Sequence, residues 1–296
     1  MNRGTREGQG NRTSTVLGRR LGGELHALRT AAGKTQLQAA RELSATATKI
    51  VKMESGWVPM RDPDIRVLCE FYGVTDGEVV AGLLALARLD RDRRKAKGWW
   101  QQVPSVGNLA EYVAMEDVAT RIRTWQLALV PGLLQTADYI RALGVSSDSW
   151  THPDEIEEMV ATRTKRQARL WGDKPLEFHA VIWEAALRQE IGGRDVMRAQ
   201  LDHLVAMAEL PNVHVQVLPF RVGANHGVSG AFNLVSFAEP GAVDVGYSEG
   251  IASMVWVEGA EGSRLFTQAF DRVSRMSLAP HDSVKLIEAI GKGFQA

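Results

Sequence analysis

Residues 36–55, QLQAARELSATATKIVKMES, have the spacing of two short helices joined by a tight turn. Apolar positions recur at helical intervals on the two sides that would face each other: Ala39, Ala40, Leu43, Ala45, Ile50 and Met53. Thr46 is suited to cap the second helix because its hydroxyl can accept a free backbone N–H. Thr35 and Gln38 form a T-x-x-Q capping box for the first helix. The pattern predicts a helix-turn-helix; the alternative is an ordinary helical hairpin in some other domain.

The motif lies in a helical context that predicts an all-α domain. Further helices are predicted over 17–32, 64–72 and 76–89, with Gly33 and Gly73 as breaks. Together with the motif this makes five helices, the number in a repressor-type helix-turn-helix domain. The charged run 89–97, LDRDRRKAK, is predicted to extend the last helix as a solvated face and to end a domain over 16–97. Residues 1–15 are polar and Gly-rich, which predicts a disordered tail.

Residues 98–296 predict a single α+β domain with a mainly antiparallel sheet, because strand and helix patterns alternate along them. Strands are predicted over 124–130, 177–183, 213–219, 231–237, 243–249 and 253–257. The last three strands form a predicted meander. Pro131 is placed at the start of a helix over 131–144, and the Gly-rich segment 223–230 is predicted as a hairpin turn.

Charge is unevenly divided along a chain whose total is zero. Residues 1–97 contain 18 lysines and arginines against 11 acidic residues, a net of +7, and residues 98–296 carry −7. The basic part suits phosphate contact, and DNA would repel the acidic remainder. The single cysteine, Cys69, excludes a disulfide framework and a Cys-pair zinc site. The longest apolar stretch, 79–89, is too short to span a membrane, so we expect a cytoplasmic protein.

Two resemblances follow from these residues. Thr35–Gln36, the small Ala40, Ile50 and the M-E-S-G run at 53–56 resemble the Cro and phage-repressor (XRE-type) helix-turn-helix. The resemblance implies sequence-specific binding to double-stranded DNA. One departure is Ser44, which stands at the turn position where this family usually has glycine. If that position needs a positive φ, serine costs about 1 kcal/mol relative to glycine.

The second resemblance covers the C-terminal part. The segments that carry it are Trp125, LVPGLLQTADYIRAL at 129–143, Arg163 with Gln167, VIWEAALR at 181–188, and the strand 213–219. They are similar to the uncharacterised effector domain of actinobacterial WhiJ-like regulators. The resemblance implies a regulator of development or secondary metabolism with a small BldB-type protein partner. It also implies the alternative of an antitoxin-like protein that mainly sequesters that partner. We also consider a homodimer.

The candidate DNA-contacting residues lie at the start of the motif's second helix, which in this fold enters the major groove. Ala47, Thr48 and Lys52 match the base-reading positions of the family. The Ala47 methyl suits a thymine methyl, Thr48 can donate or accept a hydrogen bond, and Lys52 can reach guanine.

Phosphate contacts, which position the protein without specifying sequence, are predicted for Gln36, Thr46 and Lys49. Simple solvation of the surface explains these residues as well. Glu54 is predicted to be a partner within the domain instead of a base reader.

An enzyme fused to a helix-turn-helix, a hydrolase or transferase, is the remaining alternative. His179 and His214 lie in predicted strands and could meet, and a pocket with converging carboxylates would favour this class. The seven histidines form no H-E-x-x-H spacing, and the chain contains neither G-x-x-x-x-G-K-[ST] nor G-x-S-x-G. We therefore assign no catalytic, metal-binding or cofactor-binding residue. The favoured hypothesis is a DNA-binding transcription regulator, a repressor, whose C-terminal domain binds a signal or a small protein.

Overall fold

The structure, a computed structural model, describes residues 15–95, 109–146, 152–223, 230–238, 244–250, 254–257 and 260–294. The chain divides into two compact units, one over residues 1–98 and one over 99–237 with 243–296. Within the described residues, no helix has both the length and the apolar character needed to cross a membrane. The tail predicted over 1–15 lies outside the described residues except for Thr15, and the predicted turn at 223–230 lies outside them except at its two ends.

The first unit is the predicted five-helix, all-α domain. Its helices are α1 (Val16–Ala31), α2 (Gln36–Glu42), α3 (Ala47–Glu54), α4 (Asp62–Phe71) and α5 (Gly77–Lys95). The residues that meet in its core are apolar and spaced at helical intervals: Leu17, Leu21, Leu25, Ile50, Met53, Ile65, Leu68 and Cys69. At Gly22, α1 passes so close to the end of α3 that a β-carbon would lie 2.3 Å from the Glu54 carbonyl oxygen.

The turn between α2 and α3 takes its shape from one left-handed residue. Ser44 has φ 47°, and no other described non-glycine residue has a positive φ. Its N–H donates to the Arg41 carbonyl (3.0 Å), and the Ala45 N–H donates to the Ala40 carbonyl (2.8 Å). These two bonds make a Schellman C-cap, in which the left-handed position normally favours glycine. The turn does need a positive φ at Ser44, so serine carries the expected cost of about 1 kcal/mol relative to glycine at this position.

The charged run at the end of α5 departs from the predicted solvated face. Arg94 donates to Asp90 at 2.7 Å, and the two side chains are only 4% and 1% exposed. Asp90 also accepts the Thr15 hydroxyl (2.5 Å), and Arg94 donates to the Gly56 carbonyl (2.7 Å). The prediction of a solvated face was wrong for these two residues. Inside the unit their charges pair with each other, and each also forms a hydrogen bond with a residue from another part of the chain, Thr15 or Gly56.

The second unit is α+β. Its elements are α6 (Leu109–Val118), β1 (Arg121–Gln126), α7 (Ala137–Val145), α8 (Pro153–Gln167), β2 (Glu177–Trp183), α9 (Glu184–Arg188), α10 (Arg194–Met207), β3 (Val213–Leu218), β4 (Phe232–Ser236), β5 (Val245–Glu249), β6 (Met254–Val257), α11 (Ala260–Met276) and α12 (Pro280–Gly293). One sheet runs in the order β3-β2-β1-β4-β5-β6. Strands β1 to β3 pair in parallel, and the pairings from β1 through β4 and β5 to β6 are antiparallel. The mainly antiparallel α+β prediction is confirmed.

Helix α11 covers one face of this sheet. The buried residues between them include Trp125, Val181, Leu218, Phe232, Phe270 and Val273. At the β3 edge, Val217 accepts a hydrogen bond from the Leu278 N–H and donates its own N–H to the Ser283 hydroxyl, both at 2.9 Å. These bonds satisfy backbone groups that an edge strand would otherwise leave open.

Two element predictions in the segment after α6 were wrong. The strand predicted over 124–130 is β1, 121–126, because the Val130 N–H leaves the sheet and donates to the Tyr139 hydroxyl. The helix predicted over 131–144 is a 3-10 turn, Gly132–Leu134, followed by the separate helix α7. Gln135 is extended and Thr136 caps α7, so the chain bends between the two.

Candidate nucleic-acid interface

Side-chain caps fix the starts of α2 and α3. The Thr46 hydroxyl accepts the Lys49 N–H (3.2 Å) at the start of α3. At the start of α2, the Gln38 N–H donates to the Thr35 hydroxyl (3.2 Å), and the Thr35 N–H donates to the Gln38 amide oxygen (2.8 Å). Both predicted caps are confirmed, so the first turn of α3 has a defined direction.

One face of α3 is buried and the opposite face is open. Ile50 and Met53 are 1% and 2% exposed, as predicted. Thr48, Val51 and Lys52 are exposed on the other side, at the i, i+3 and i+4 positions that share one helix face. Val51 was not among the predicted base readers, although this spacing places it between two of them, Thr48 and Lys52. Its isopropyl group, 45% exposed, is suited to contact with a thymine methyl.

The other predicted DNA contacts differ in their surroundings. Ala47 is half-buried and Thr46 is exposed. Lys49 Nζ lies 3.2 Å from Asp64 Oδ2, and Gln36 Nε2 donates to Glu54 Oε2 at 2.8 Å. Each of these two side chains has further N–H groups, so an intradomain partner leaves donors for a phosphate. Their phosphate contacts stay predictions.

Glu54 lies at the centre of a polar cluster that joins α1, α2 and α3, which confirms its prediction as an intradomain partner. It accepts two bonds from Arg29 (2.6 and 3.0 Å), the bond from Gln36, and lies 3.2 Å from His26 Nδ1. Burial alone would raise the pKa of Glu54, but the hydrogen bonds from Arg29, Gln36 and His26 outweigh it and the pKa is lowered. The hydrogen bond to Glu54 raises the pKa of Arg29. Helix α3 is therefore held in the domain by this polar cluster as well as by the apolar contacts of Ile50 and Met53.

Comparison with known families identifies both units. Residues 20–83 match a family described as a helix-turn-helix domain. Residues 109–289, more than half of the chain, match a domain of unknown function, DUF5753. The chain belongs to the DUF5753 family. No curated protein and no solved structure matches it. The helix-turn-helix match indicates a DNA-binding regulator, which leaves the DUF5753 domain without an assigned role.

The two histidines considered for an enzyme site are neighbours in the DUF5753 domain. His179 and His214 are register partners on β2 and β3, with ring centroids 5.8 Å apart. His179 Nε2 lies 2.7 Å from Gln216 Oε1, and its ring meets Phe270 edge-on. Burial lowers the pKa of His179. Over the described ranges, no group of three His, Cys, Asp or Glu side chains could hold a metal ion.

Proposed function

We propose that this chain is a sequence-specific transcription regulator, a repressor, that reads an operator through the open face of α3. The observation that carries the proposal is the division of α3 into a buried face and an exposed face. Ile50 and Met53 hold the helix against the domain, and Thr48 and Lys52 are left free of the core. The net charge of +7 over residues 1–97 supplies the attraction to phosphate.

Direct reading of bases is modest in this proposal. Lys52 is the only long cationic side chain on the open face of α3. A lysine meets guanine as a point charge and lacks the paired donors with which an arginine binds a guanine edge. Ala47 and Val51 contribute methyl contacts, which favour thymine. Gln36, Thr46 and Lys49 contact phosphates and set the register of α3 in the groove. Occupation of a promoter by this domain would block transcription without a catalytic step.

The experiment starts from the native cell. Sequencing of DNA that co-purifies with the chain identifies an operator, and anisotropy titration then measures its affinity. Lys52→Ala is expected to weaken specific binding by about 1–3 kcal/mol with little change in stability. Lys174→Ala, which changes an exposed lysine of the DUF5753 domain, is the control and should bind as the parent does. Unchanged operator affinity in Lys52→Ala contradicts the assignment of α3.

A protein partner for the DUF5753 domain is the second candidate function. The resemblance to WhiJ-like regulators implies a small BldB-type protein, and Trp171 and Phe220 supply exposed aromatic surface, each 47% open. In the antitoxin-like version, capture of the partner is the main task and DNA binding serves autoregulation. Co-purification of the full chain with and without nuclease treatment separates these roles, and Trp171→Ser should weaken capture. Sedimentation of the pure chain tests for a homodimer, and imaging of a tagged copy tests for location on the nucleoid.

A further inference from the structure

A cleft of about 180 Å³ lies in the DUF5753 domain. Thr124, Asn233 and Tyr247 form part of its lining and are register partners on three neighbouring strands, β1, β4 and β5. Partners in register point to the same side of a sheet, so these three side chains share one face. Trp125 and Phe232, which alternate with them, point to the other face and pack with α11. The cleft therefore opens on the side of the sheet away from α11.

One wall of the cleft is held by hydrogen bonds from three side-chain amides. The Gln135 side chain donates to the Val130 carbonyl at 2.7 Å. Gln200, which is fully buried, donates to the Leu134 carbonyl at 2.7 Å, and Gln167 donates to the Gln135 carbonyl at 2.6 Å. This is the segment that left β1 early and interrupted the predicted helix. Its backbone is satisfied by side chains from α8 and α10, so the wall is formed before any ligand arrives.

Two arginines of α8 line the cleft, and only one of them has a carboxylate as its hydrogen-bond partner. Arg166 donates twice to the Glu116 carboxylate, both bonds at 2.8 Å, and this pair is buried. Arg163 donates to the amide oxygen of Gln135, which carries no charge. Burial, with Arg166 nearby, lowers the pKa of Arg163 to about 10, so it remains a cation. A partly buried cation whose partner is neutral is suited to an incoming anion.

The third acidic or basic group on the cleft lining is Glu249, and it is exposed. It pairs with the Tyr247 hydroxyl, and its charge also acts on Arg163, where it raises the pKa against the effect of burial. Glu249 therefore weakens the attraction of Arg163 for an anion without replacing it. Its position favours a ligand with a single negative group, because a second one would meet this carboxylate.

Aromatic rings form another part of the lining. Tyr112 and Tyr247 have ring centroids 4.9 Å apart, and Tyr247 also meets Trp256 at 4.6 Å. Burial raises the pKa of both tyrosines, so both are neutral phenols over the physiological range. Rings at these separations offer an edge or a face to a further ring. Together with Arg163, they place an aromatic surface and a cation that is hydrogen-bonded to a neutral amide in the same cleft.

We propose that this cleft binds a small aromatic carboxylate, with its carboxylate on Arg163 and its ring beside Tyr112 and Tyr247. The volume is below the ~300–1,000 Å³ of sites for drug-sized ligands, which limits the ligand to one or two rings. The ligand would be the signal for the regulator. Its binding belongs to the DUF5753 domain alone, so a test of it succeeds or fails independently of DNA binding.

The test is calorimetric titration of the full chain with benzoate, salicylate and indole-3-carboxylate. At least one is expected to bind at one site per chain. The neutral amide of that acid should bind at least about tenfold more weakly, which measures the contribution of the negative charge. Where benzoate binds, cyclohexanecarboxylate should bind more weakly, which measures the contribution of the aromatic ring. Binding by none of the three acids, or equal binding by acid and amide, overturns the proposal.

Variants locate the site. Arg163→Met is expected to reduce binding of the acid at least about tenfold while binding of its amide holds, because the side chain that meets the carboxylate loses its charge. A merely structural Arg163 would instead weaken binding of the acid and of the amide alike, since buried Gln135 would lose a hydrogen-bond donor and the wall of the cleft would shift. Arg141→Met is the control, an arginine of α7 paired with Glu157 on the surface, and should bind as the parent does. Leu129→Trp narrows the cleft at its exposed rim and should weaken binding without touching Arg163. Unchanged binding in both Arg163→Met and Leu129→Trp overturns the location.

Discussion

Arg29 Nε lies 2.6 Å from Glu54 Oε1, and the two side chains are 10% and 9% exposed. A second bond, from Arg29 Nη2 to Glu54 Oε2 at 3.0 Å, makes the pair bidentate. Arg29 belongs to α1 and Glu54 ends α3, so the pair joins the first helix of the domain to the helix proposed to enter DNA. The same Arg29 donates to the Lys34 carbonyl at 2.8 Å, which also fixes the chain before α2.

Arg29→Ala should destabilise the first unit by about 3–5 kcal/mol, because Glu54 is left buried without its cation. Hydrogen exchange of the α3 amides in the intact chain measures this, since it reports on one unit at a time. Arg88→Ala, an exposed arginine of α5, is the control and should change exchange little. Equal protection of α3 in the Arg29 and Arg88 variants would contradict a structural role for the pair.

The stability of the first unit should depend on acid through Glu54. Its folded pKa is lowered from the reference value of 4.5. A depressed carboxyl pKa contributes stability that is present above the unfolded pKa and lost as pH falls through the folded pKa. We expect α3 protection to fall below about pH 4.5 in the parent and to fall less in Glu54→Gln, which starts from a lower stability. Glu70→Gln, exposed on α4, should keep the parent's acid dependence.

Ser44→Gly should stabilise the first unit by up to about 1 kcal/mol, because glycine adopts φ near +47° without the penalty of a β-carbon. The matched control is Ser55→Gly at the end of α3, where φ is −96° and glycine gains nothing. Thermal unfolding of the isolated residues 1–97 compares the two. A loss of stability in Ser44→Gly would mean that the serine side chain contributes more than its backbone costs.

Ile50→Ala should cost about 2–5 kcal/mol, because it opens a cavity between the helices. Its neighbour Val51 is 45% exposed, and Val51→Ala should cost less than about 0.5 kcal/mol. Circular dichroism of residues 1–97 under urea measures both. Val51→Ala should instead weaken operator binding, since the variant keeps the fold but loses a proposed methyl contact. Similar stability losses in the two variants would contradict the burial of the Ile50 face of α3 and the exposure of the Val51 face.

Operator affinity should fall steeply with salt. The +7 balance of residues 1–97 predicts release of counterions from DNA, with a slope of log affinity against log salt of roughly −0.9 for each phosphate contacted. Anisotropy titrations at several salt concentrations give this slope. Lys49→Gln should reduce its magnitude by about one if Lys49 contacts a phosphate. An affinity that does not change with salt contradicts an electrostatically anchored complex.

Local signals account for the predictions that succeeded. The capping box at Thr35 and Gln38, the Thr46 cap and the apolar spacing that buries Ile50 all depend on residues within one or two turns of each other. Strand β2 was predicted with its observed bounds because EFHAVIW alternates with the period of a strand, and the alternate residues Phe178, Ala180 and Ile182 are buried. Such patterns are visible without knowing what lies across the sheet or helix.

Distant partners account for the predictions that failed. Asp90 and Arg94 look solvated in sequence, and only contacts with Thr15 and Gly56 make their burial favourable. The bend after β1 likewise depends on Gln200, whose amide reaches Leu134 from α10.

The sequence by itself determined that two units exist with opposite charge, that the first is a helix-turn-helix, and which side of α3 faces the core. Periodicity and capping carry that information because they act over a few residues. Only the tertiary structure decided that Gln36 and Lys49 have partners within the domain, and that Arg163 shares a cleft with Tyr112 and Tyr247. Those relationships join residues far apart in the chain, and the packing of whole elements sets the distances between them.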